Sequence, residues 1–462
     1  MTISETFNRL SAGDTSATRI LERLRSRIDR LEPSLNALCH VDWEGAFAAA
    51  EESEQRWRSG RQLGSLDGIP LHIKDNIFVR DVPCTWGSRL YETFVPNQDD
   101  WSVTRLRQQG AVLFAKTNSP EFALAGITTN DLFGTTRNPY DQSRTPGGSS
   151  GGAVAATMAG FGFGGLATDA GGSIRRPSGY SGAVGLRTSP GAVRRTSGFP
   201  AIANDFQTIG PIASNIEDLS ILFNAVRCTA KDVKLPRRQD VRIRVILDAG
   251  LQTIVSEIES ATRHAAAVLK DQGYHTDEII APWNRAEVEY AFRVMSASGV
   301  AHLASFHDKD LWQEKVTRPM QRTAEFGNEQ KAVDYVRALE IVSKLRAMAA
   351  SEFDNRTIWL MPTSPCTAWS IDEDYPQFIA GQPAEPRDSS VYAPVVNAMA
   401  ATGLALPAGT DSIGLPIGVQ LVAGQGQEDL VLTVGEDLAR QLGDFQAPPR
   451  ILDLCRDLGP EG

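Results

Sequence analysis

Between Arg144 and Asp169 the chain carries no charged side chain, and from Thr145 to Gly185 it reads TPGGSSGGAVAATMAGFGFGGLATDAGGSIRRPSGYSGAVG. A run so rich in small residues and so poor in charge has to pack closely rather than stand in water. Its two ends, Gly147-Gly148-Ser149-Ser150-Gly151-Gly152 and Ala170-Gly171-Gly172-Ser173, are places where backbone N–H groups can crowd together without interference from Cβ atoms. Turns that present several amides beside a serine hydroxyl suit both anion stabilisation and acyl transfer. The alanine-rich segment Ala153 to Ala159 between them predicts a buried helix beginning near Gly152, which would fix the spacing of the two serine sites.

The other segments alternate strand and helix. An apolar stripe at Ile20, Leu24, Ile28 and Leu31 predicts a helix ended by Pro33, and a second helix is expected from Trp43 to Trp57. Leu66 to Ile73 reads as a strand that delivers Lys74 at its end, Ser102 to Gln109 as a helix, and Ala111 to Ala115 as a buried strand. Thr129 to Tyr140 reads as a loop and Ile216 to Ala225 as a helix. Thr229 to Asp240 reads as a charged connection, followed by a half-exposed strand over Val241 to Leu247. One helix is expected from Glu329 to Phe353, with Val333, Val336, Leu339, Val342 and Leu345 as its apolar stripe. Strands are expected at Ile358 to Pro362 and Pro416 to Ala423, with an acidic loop from Asp372 to Ser390. This alternation predicts an α/β fold, a single domain over 1–462 with a central mixed sheet surrounded by helices, since no flexible linker divides the chain. The regions 281–350 and 372–390 hold no chemical motif and are assigned to the walls of a substrate pocket.

A net charge of −10 disfavours nucleic acid and anionic membrane as partners. Five scattered cysteines with no CxxC pair indicate neither a disulfide framework nor a zinc site, and they fit a cytoplasmic location, as does the lack of an apolar run behind a basic N-terminus. Only Pro146 to Thr168 imitates a membrane span, and its Gly, Ala, Ser and Thr content would gain little from lipid.

Several chemistries can be weighed on the same residues. Ser149 and Ser150 each lie in a Gly-x-Ser-x-Gly pattern, but no apolar strand precedes them, as a nucleophile elbow requires. His264, His275, His302 and His307 lack a triad context, and no lysine has a serine three residues before it. Gly110 to Thr117 approaches a phosphate-binding loop, but Ala115 stands where glycine is needed, so Lys116 reads as structural. There remains a serine activated by a neutral lysine. Lys74 follows an apolar strand that would carry it into a desolvated site and lower its pKa. Pairing with Asp75 at an exposed turn is the plain alternative for this lysine, and His72, on the same strand face, is an alternative base.

Gly68-Ile69-Pro70-Leu71-His72-Ile73-Lys74-Asp75, Pro146 to Gly152, and Thr168-Asp169-Ala170-Gly171-Gly172-Ser173-Ile174-Arg175 together resemble the amidase signature family, in order and in spacing. The likeness is strongest over 66–225, taken as the signature core. It resumes at Met361-Pro362-Thr363 and at Leu415 to Gln420, within the remainder 226–462 that completes the sheet and the pocket. The resemblance implies that Ser173 is the acylated nucleophile, Ser149 a bridging serine held by a cis peptide, and Lys74 the base. It further implies an oxyanion hole from the amides of Ala170, Gly171, Gly172 and Ser173, and substrate contact at the backbone of Ala123. Asp169 and Arg175 would brace the nucleophile loop, with Ser150 auxiliary. Ala170 stands where the family often has a larger residue, and Leu186-Arg187-Thr188-Ser189 departs in part from the usual continuation. The expected activity is hydrolysis of a small carboxamide without metal or organic cofactor, and the suggested assembly is a homodimer. Two other readings are a glutaminase component of a tRNA-dependent amidotransferase and a non-catalytic binding protein on the same scaffold.

Overall fold

The computed structural model describes residues 1–228, 235–251, 253–443, 448 and 451. Eleven strands form one mixed sheet. They are β1 (Leu38–Val41), β2 (Pro70–Lys74), β3 (Val112–Thr117), β6 (Gly165–Asp169), β7 (Val184–Arg187), β8 (Thr208–Ala213), β9 (Arg242–Val245), β10 (His275–Glu278), β11 (Thr357–Pro362), β14 (Thr402–Thr410) and β15 (Pro416–Ala423). Two short hairpins stand outside it, β4 (Thr129–Asn130) with β5 (Gly134–Thr135), and β12 (Phe378–Ile379) with β13 (Gln382–Pro383). The sheet order is β1-β3-β2-β6-β8-β7-β14-β15-β11-β9-β10. Parallel pairs join β3, β2 and β6 at one end and β11, β9 and β10 at the other, with antiparallel pairs through the centre. Central strands such as β2, β6, β7 and β15 are buried along their whole length, as a sheet covered by helices on both faces demands.

The uncharged stretch lies at the heart of this arrangement. Its helix spans Gly151–Met158 with all eight residues buried, and the chain then turns through Gly160, Gly162 and Gly164, all at positive φ, into β6. Strand β6 ends at Asp169, and the helix Arg175–Ser181 follows directly. The serine sites therefore sit at the start of one buried helix and just before the next.

Three expectations need correction. The helix predicted to end at Pro33 runs Ala17–Leu35 and stops at Asn36, which adopts a left-handed φ of 53°; burial of Leu31 and Leu35 in one apolar cluster carries it past the proline. The helix expected over Glu329 to Phe353 is present as Ala332–Glu352, but Glu329 closes a separate preceding helix, Arg318–Glu329, and the apolar stripe is not the expected one. Of its predicted stripe, Val333, Val336 and Leu339 face water, and the buried face is Ala338, Ile341, Val342, Leu345 and Ala349. That face is set by docking onto the helix Arg285–Ala304 in a shared apolar cluster, which outweighs the simple count of apolar residues. The loops at Thr129 to Tyr140 and Asp372 to Ser390 each contain one of the short hairpins. Of the connection from Thr229 to Asp240, residues 229–234 lie outside the described residues, as does Cys455. Among the described residues no helix is long and apolar enough to cross a membrane.

Candidate active site

Strand β2 ends in Lys74, whose side chain is fully buried, and its ammonium donates to Ser149 Oγ at 2.7 Å and to Ser150 Oγ at 2.9 Å. Burial pushes this lysine down to about 7, against the opposing pull of the Asp169 charge. The exposed Lys74–Asp75 pair is not formed. Asp75 instead accepts from Thr85 Oγ1 at 2.6 Å and lies 3.8 Å from the Lys116 ammonium. Lys116, which also donates to the Ile77 carbonyl at 2.6 Å, is thereby held within the core. His72 shares the face of Lys74, but its Nε2 lies 3.0 Å from Thr157 Oγ1, near the far end of the buried helix, and no hydrogen bond ties it to either serine. Burial lowers its pKa to about 3.

Glycines shape the first serine loop. The Gly148–Ser149 peptide is cis. A Cβ on Gly148 would lie 2.6 Å from the Ile127 carbonyl oxygen and 2.7 Å from that of Ala125, so only glycine fits against this backbone. Thr128, which carries no motif of its own, staples the loop: its hydroxyl donates to the Gly147 carbonyl at 2.9 Å and accepts from the Gly151 amide at 3.0 Å. The Ser150 amide donates to the Ser173 carbonyl at 3.2 Å, joining the two serine loops through backbone. The Ser150 hydroxyl is 3.3 Å from the Thr168 carbonyl. Among the described residues no hydrogen bond links Ser149 Oγ to Ser173 Oγ, and Ser173 is the most accessible of the three serines, at 9% exposure against 1% and 0% for Ser149 and Ser150.

Asp169 organises the second loop. Its carboxylate accepts from the amides of Gly172 at 2.7 Å and Ile174 at 3.1 Å, and from Arg175 Nε and Nη2, each at 3.1 Å. Burial alone would raise the Asp169 pKa; the Arg175 charge and its hydrogen bonds hold it well below the usual carboxylate range. Asn397 donates to the same carboxylate at 2.9 Å and accepts from Arg175 at 2.6 Å, while Gln420 Oε1 accepts from Arg175 at 2.9 Å. Gln420 lies in a segment that carries the family resemblance; Asn397 had no sequence signal. Because the Gly172 amide is taken by Asp169, it leaves the expected oxyanion set. The amides of Ala170, Gly171 and Ser173 have no acceptor among the described residues. A Cβ on Gly172, whose φ is +100°, would sit 2.4 Å from that of Ala393.

Ala123 is half-buried with a left-handed φ of 58°, at the end of a short turn that leads to Ala125 and Ile127 against the first serine loop. Of the two motif-free regions, one meets the nucleophile loop and the other packs on the first from behind. Phe292, from 281–350, would be 2.7 Å from a Cβ on Gly171, and the Arg387 guanidinium, from 372–390, lies 4.5 Å over the Phe292 ring.

The Amidase family model matches residues 19–432. The chain is 31% identical to the A subunit of the glutamyl-tRNA(Gln) amidotransferase of Cyanothece sp. (strain PCC 7425 / ATCC 29141), over 94% of this chain and 96% of that one. Among solved structures, an amidase superposes with a TM-score of 0.88 at 27% identity, covering 96% of this chain and all of the other. A chain from a vestigial complex bearing on the origins of an s-triazine catabolic enzyme gives 0.88 at 26%, covering 97% and 100%. With the fold, the ordered motifs and a match across most of its length in agreement, the chain belongs to the amidase signature family, whose members act on amide C–N bonds.

Proposed function

We propose that this chain hydrolyses a carboxamide through an acyl-enzyme on Ser173. Neutral Lys74 accepts the Ser149 proton as Ser149 accepts that of Ser173. Ser173 Oγ then bonds to the amide carbon, and the amides of Ala170, Gly171 and Ser173 bear the charge that develops on oxygen. The C–N bond breaks as the proton returns to nitrogen, and water repeats the relay to free Ser173 and release the acid. The observation that carries this reading is a fully buried lysine bonded to two serine hydroxyls at 2.7 and 2.9 Å and lowered to about 7 by its burial.

The curated relatives favour one form of this chemistry, ammonia release from glutamine as the glutaminase component of an amidotransferase, since amidotransferase A subunits match over nearly the whole chain. A free-standing amidase of small amides is the second reading, supported by the solved amidase neighbour. The chain as a non-catalytic scaffold is disfavoured, because a binding role needs no desolvated Lys74 beside Ser149. Ammonia release by the purified chain from L-glutamine and from a panel of simple amides separates the first two. Turnover of simple amides with glutamine untouched selects the free-standing enzyme. A Ser173→Ala variant that kept wild-type activity would end the proposal as a whole.

A further inference from the structure

The buried helix that opens at Gly151 starts without a cap from its own N-terminal residue. Ser150 stands at the N-cap position, yet its side chain accepts from no amide of the first turn. Its hydroxyl is engaged elsewhere, accepting from the Lys74 ammonium at 2.9 Å and lying 3.3 Å from the Thr168 carbonyl. A serine in this place ordinarily bonds the first amides of its helix, and a buried amide left without a partner costs free energy. The Gly151 amide is capped all the same, from another part of the chain: it donates to Thr128 Oγ1 at 3.0 Å.

The Thr128 hydroxyl in turn donates to the Gly147 carbonyl at 2.9 Å. Gly147 and Gly151 bracket Gly148, Ser149 and Ser150, so one side chain ties both ends of the segment whose two hydroxyls hold Lys74. Neither the Gly147 carbonyl nor the Gly151 amide has another partner among the described residues. Only a group that gives and accepts at once can serve both, which a hydroxyl does and a methyl cannot. Thr128 is itself firmly placed. It is 1% exposed, and its carbonyl accepts from the Thr136 amide at 3.0 Å. Two residues on, Asn130 donates to Asn118 Oδ1 at 2.6 Å and to the Ser119 carbonyl at 2.8 Å, which anchors the β4–β5 hairpin to the chain leaving β3. Glycine at 151 leaves room for the contact, since a Cβ there would collide with the Thr128 hydroxyl.

We propose that Thr128 is a positioning residue for the proton relay: by capping Gly151 it frees Ser150 to hold Lys74, and by holding Gly147 as well it keeps Ser149 within reach of the amine. Among the described residues no hydrogen bond runs from Thr128 to Lys74 or to Ser173, so it acts through the loop alone. The inference rests on the relay from Ser173 through Ser149 to Lys74, and adds to it a residue that lies outside the three motifs.

Thr128→Val keeps the shape and removes the hydroxyl, whereas Thr128→Ser keeps the hydroxyl and removes the methyl. Acylation of the full chain by p-nitrophenyl acetate is followed before the steady state. The valine variant should lose roughly 10- to 100-fold in the saturating acylation rate, as the loss of two buried hydrogen bonds implies, with half-saturation changed by less than about twofold. Thr128→Ser should recover most of the rate. A valine variant as fast as wild type would overturn the proposal, and so would a serine variant as slow as the valine one. A loss carried wholly by half-saturation would also overturn it, since that marks a distorted pocket rather than a displaced relay.

Hydrogen–deuterium exchange on peptides covering residues 147–152 needs no turnover. Faster exchange there in Thr128→Val, restored in Thr128→Ser, supports the cap, and unchanged exchange refutes it. Should the valine variant not fold, Thr128→Ala leaves room for a water in place of the hydroxyl and should show a smaller change in both readings; wild-type rate and exchange in it would refute the proposal. The two arms keep the readings apart. A wild type that is never acylated at Ser173 removes the acyl-enzyme and the relay with it, while a wild type that acylates no faster than Thr128→Val removes the role of Thr128 and leaves the acyl-enzyme.

Discussion

A buried lysine with only hydroxyl partners sets the pH behaviour of the site and exacts a cost in stability. Below about 7, Lys74 is charged in the folded chain and cannot accept a proton, so acylation of Ser173 is expected to rise with pH through that value. Lys74→Ala should lose this limb and keep only a slow rate that climbs with hydroxide; pre-steady-state acylation by an activated ester across pH 5 to 10 measures both, with those limits taken as about the stable range. An identical limb in the variant would remove lysine as the base. The same shift acts on folding. Between about 7 and its ordinary value of 10.5 the unfolded chain binds a proton that the folded chain does not, so stability from this group increases as pH rises through the window. Lys74→Met, which removes the charge, should therefore gain most over wild type at or below neutral pH, and the gain should shrink towards pH 10.5. Thermal melts of the two proteins at a series of pH values test it, and a difference that is flat with pH would show that Lys74 is not desolvated in solution.

At the scale of elements, Ser173 is placed by how closely the helix Arg175–Ser181 rides on β15 and on Thr363, the residue after β11. A Cβ on Gly179 would meet Thr363 Oγ1 at 2.1 Å, just beyond the end of β11, and one on Gly418 would meet the Gly179 Cα at 2.4 Å. In a free helix Gly→Ala stabilises by about 1 kcal/mol. Here Gly179→Ala should do the reverse, forcing the helix off the sheet, lowering the melting temperature and slowing acylation of Ser173; a variant as stable and as active as wild type would show that the contact is slack. Much of this layer was legible. The apolar run before Lys74 announced β2, and Pro416 to Ala423 appears as β15 with the same bounds. Strand β14 was not foreseen, because Thr402–Thr410 mixes small residues with Pro407 and shows no alternation. The braces were harder still. Asn397 and Gln420 reach Asp169 and Arg175 from more than 200 residues away, and local periodicity holds no information about such contacts. Lys74, Ser149 and Ser173 were legible as candidates because each rests on its own short motif.

Across the whole molecule, the central strands interleave the two halves of the sequence, and this decides what can fold alone. The signature core 66–225 supplies β2, β3, β6, β7 and β8, yet β7 is completed only by β14, with Gly185, Leu186 and Arg187 opposite Ala405, Leu404 and Gly403. The largest apolar cluster runs from Ile3 through the core strands to Leu438, so the two halves share the main interior. Cutting the chain near residue 225 would leave β7 as an open edge and strip Arg175 of Asn397, Gln420 and the Ala393 carbonyl, exposing a buried guanidinium–carboxylate pair to the cost of lost partners. The core fragment is therefore expected not to acylate. In the intact chain, far-ultraviolet circular dichroism, tryptophan fluorescence and fluorophosphonate labelling of Ser173 should all be lost in one coincident urea transition. Chains of this size often unfold in stages, which gives the comparison its force. If labelling survived in the 66–225 fragment, or persisted in urea after the fluorescence of Trp359 and its neighbours had been lost, the nucleophile loop would be held by the core alone, and the braces from Asn397 and Gln420 would not be what keeps Ser173 in place.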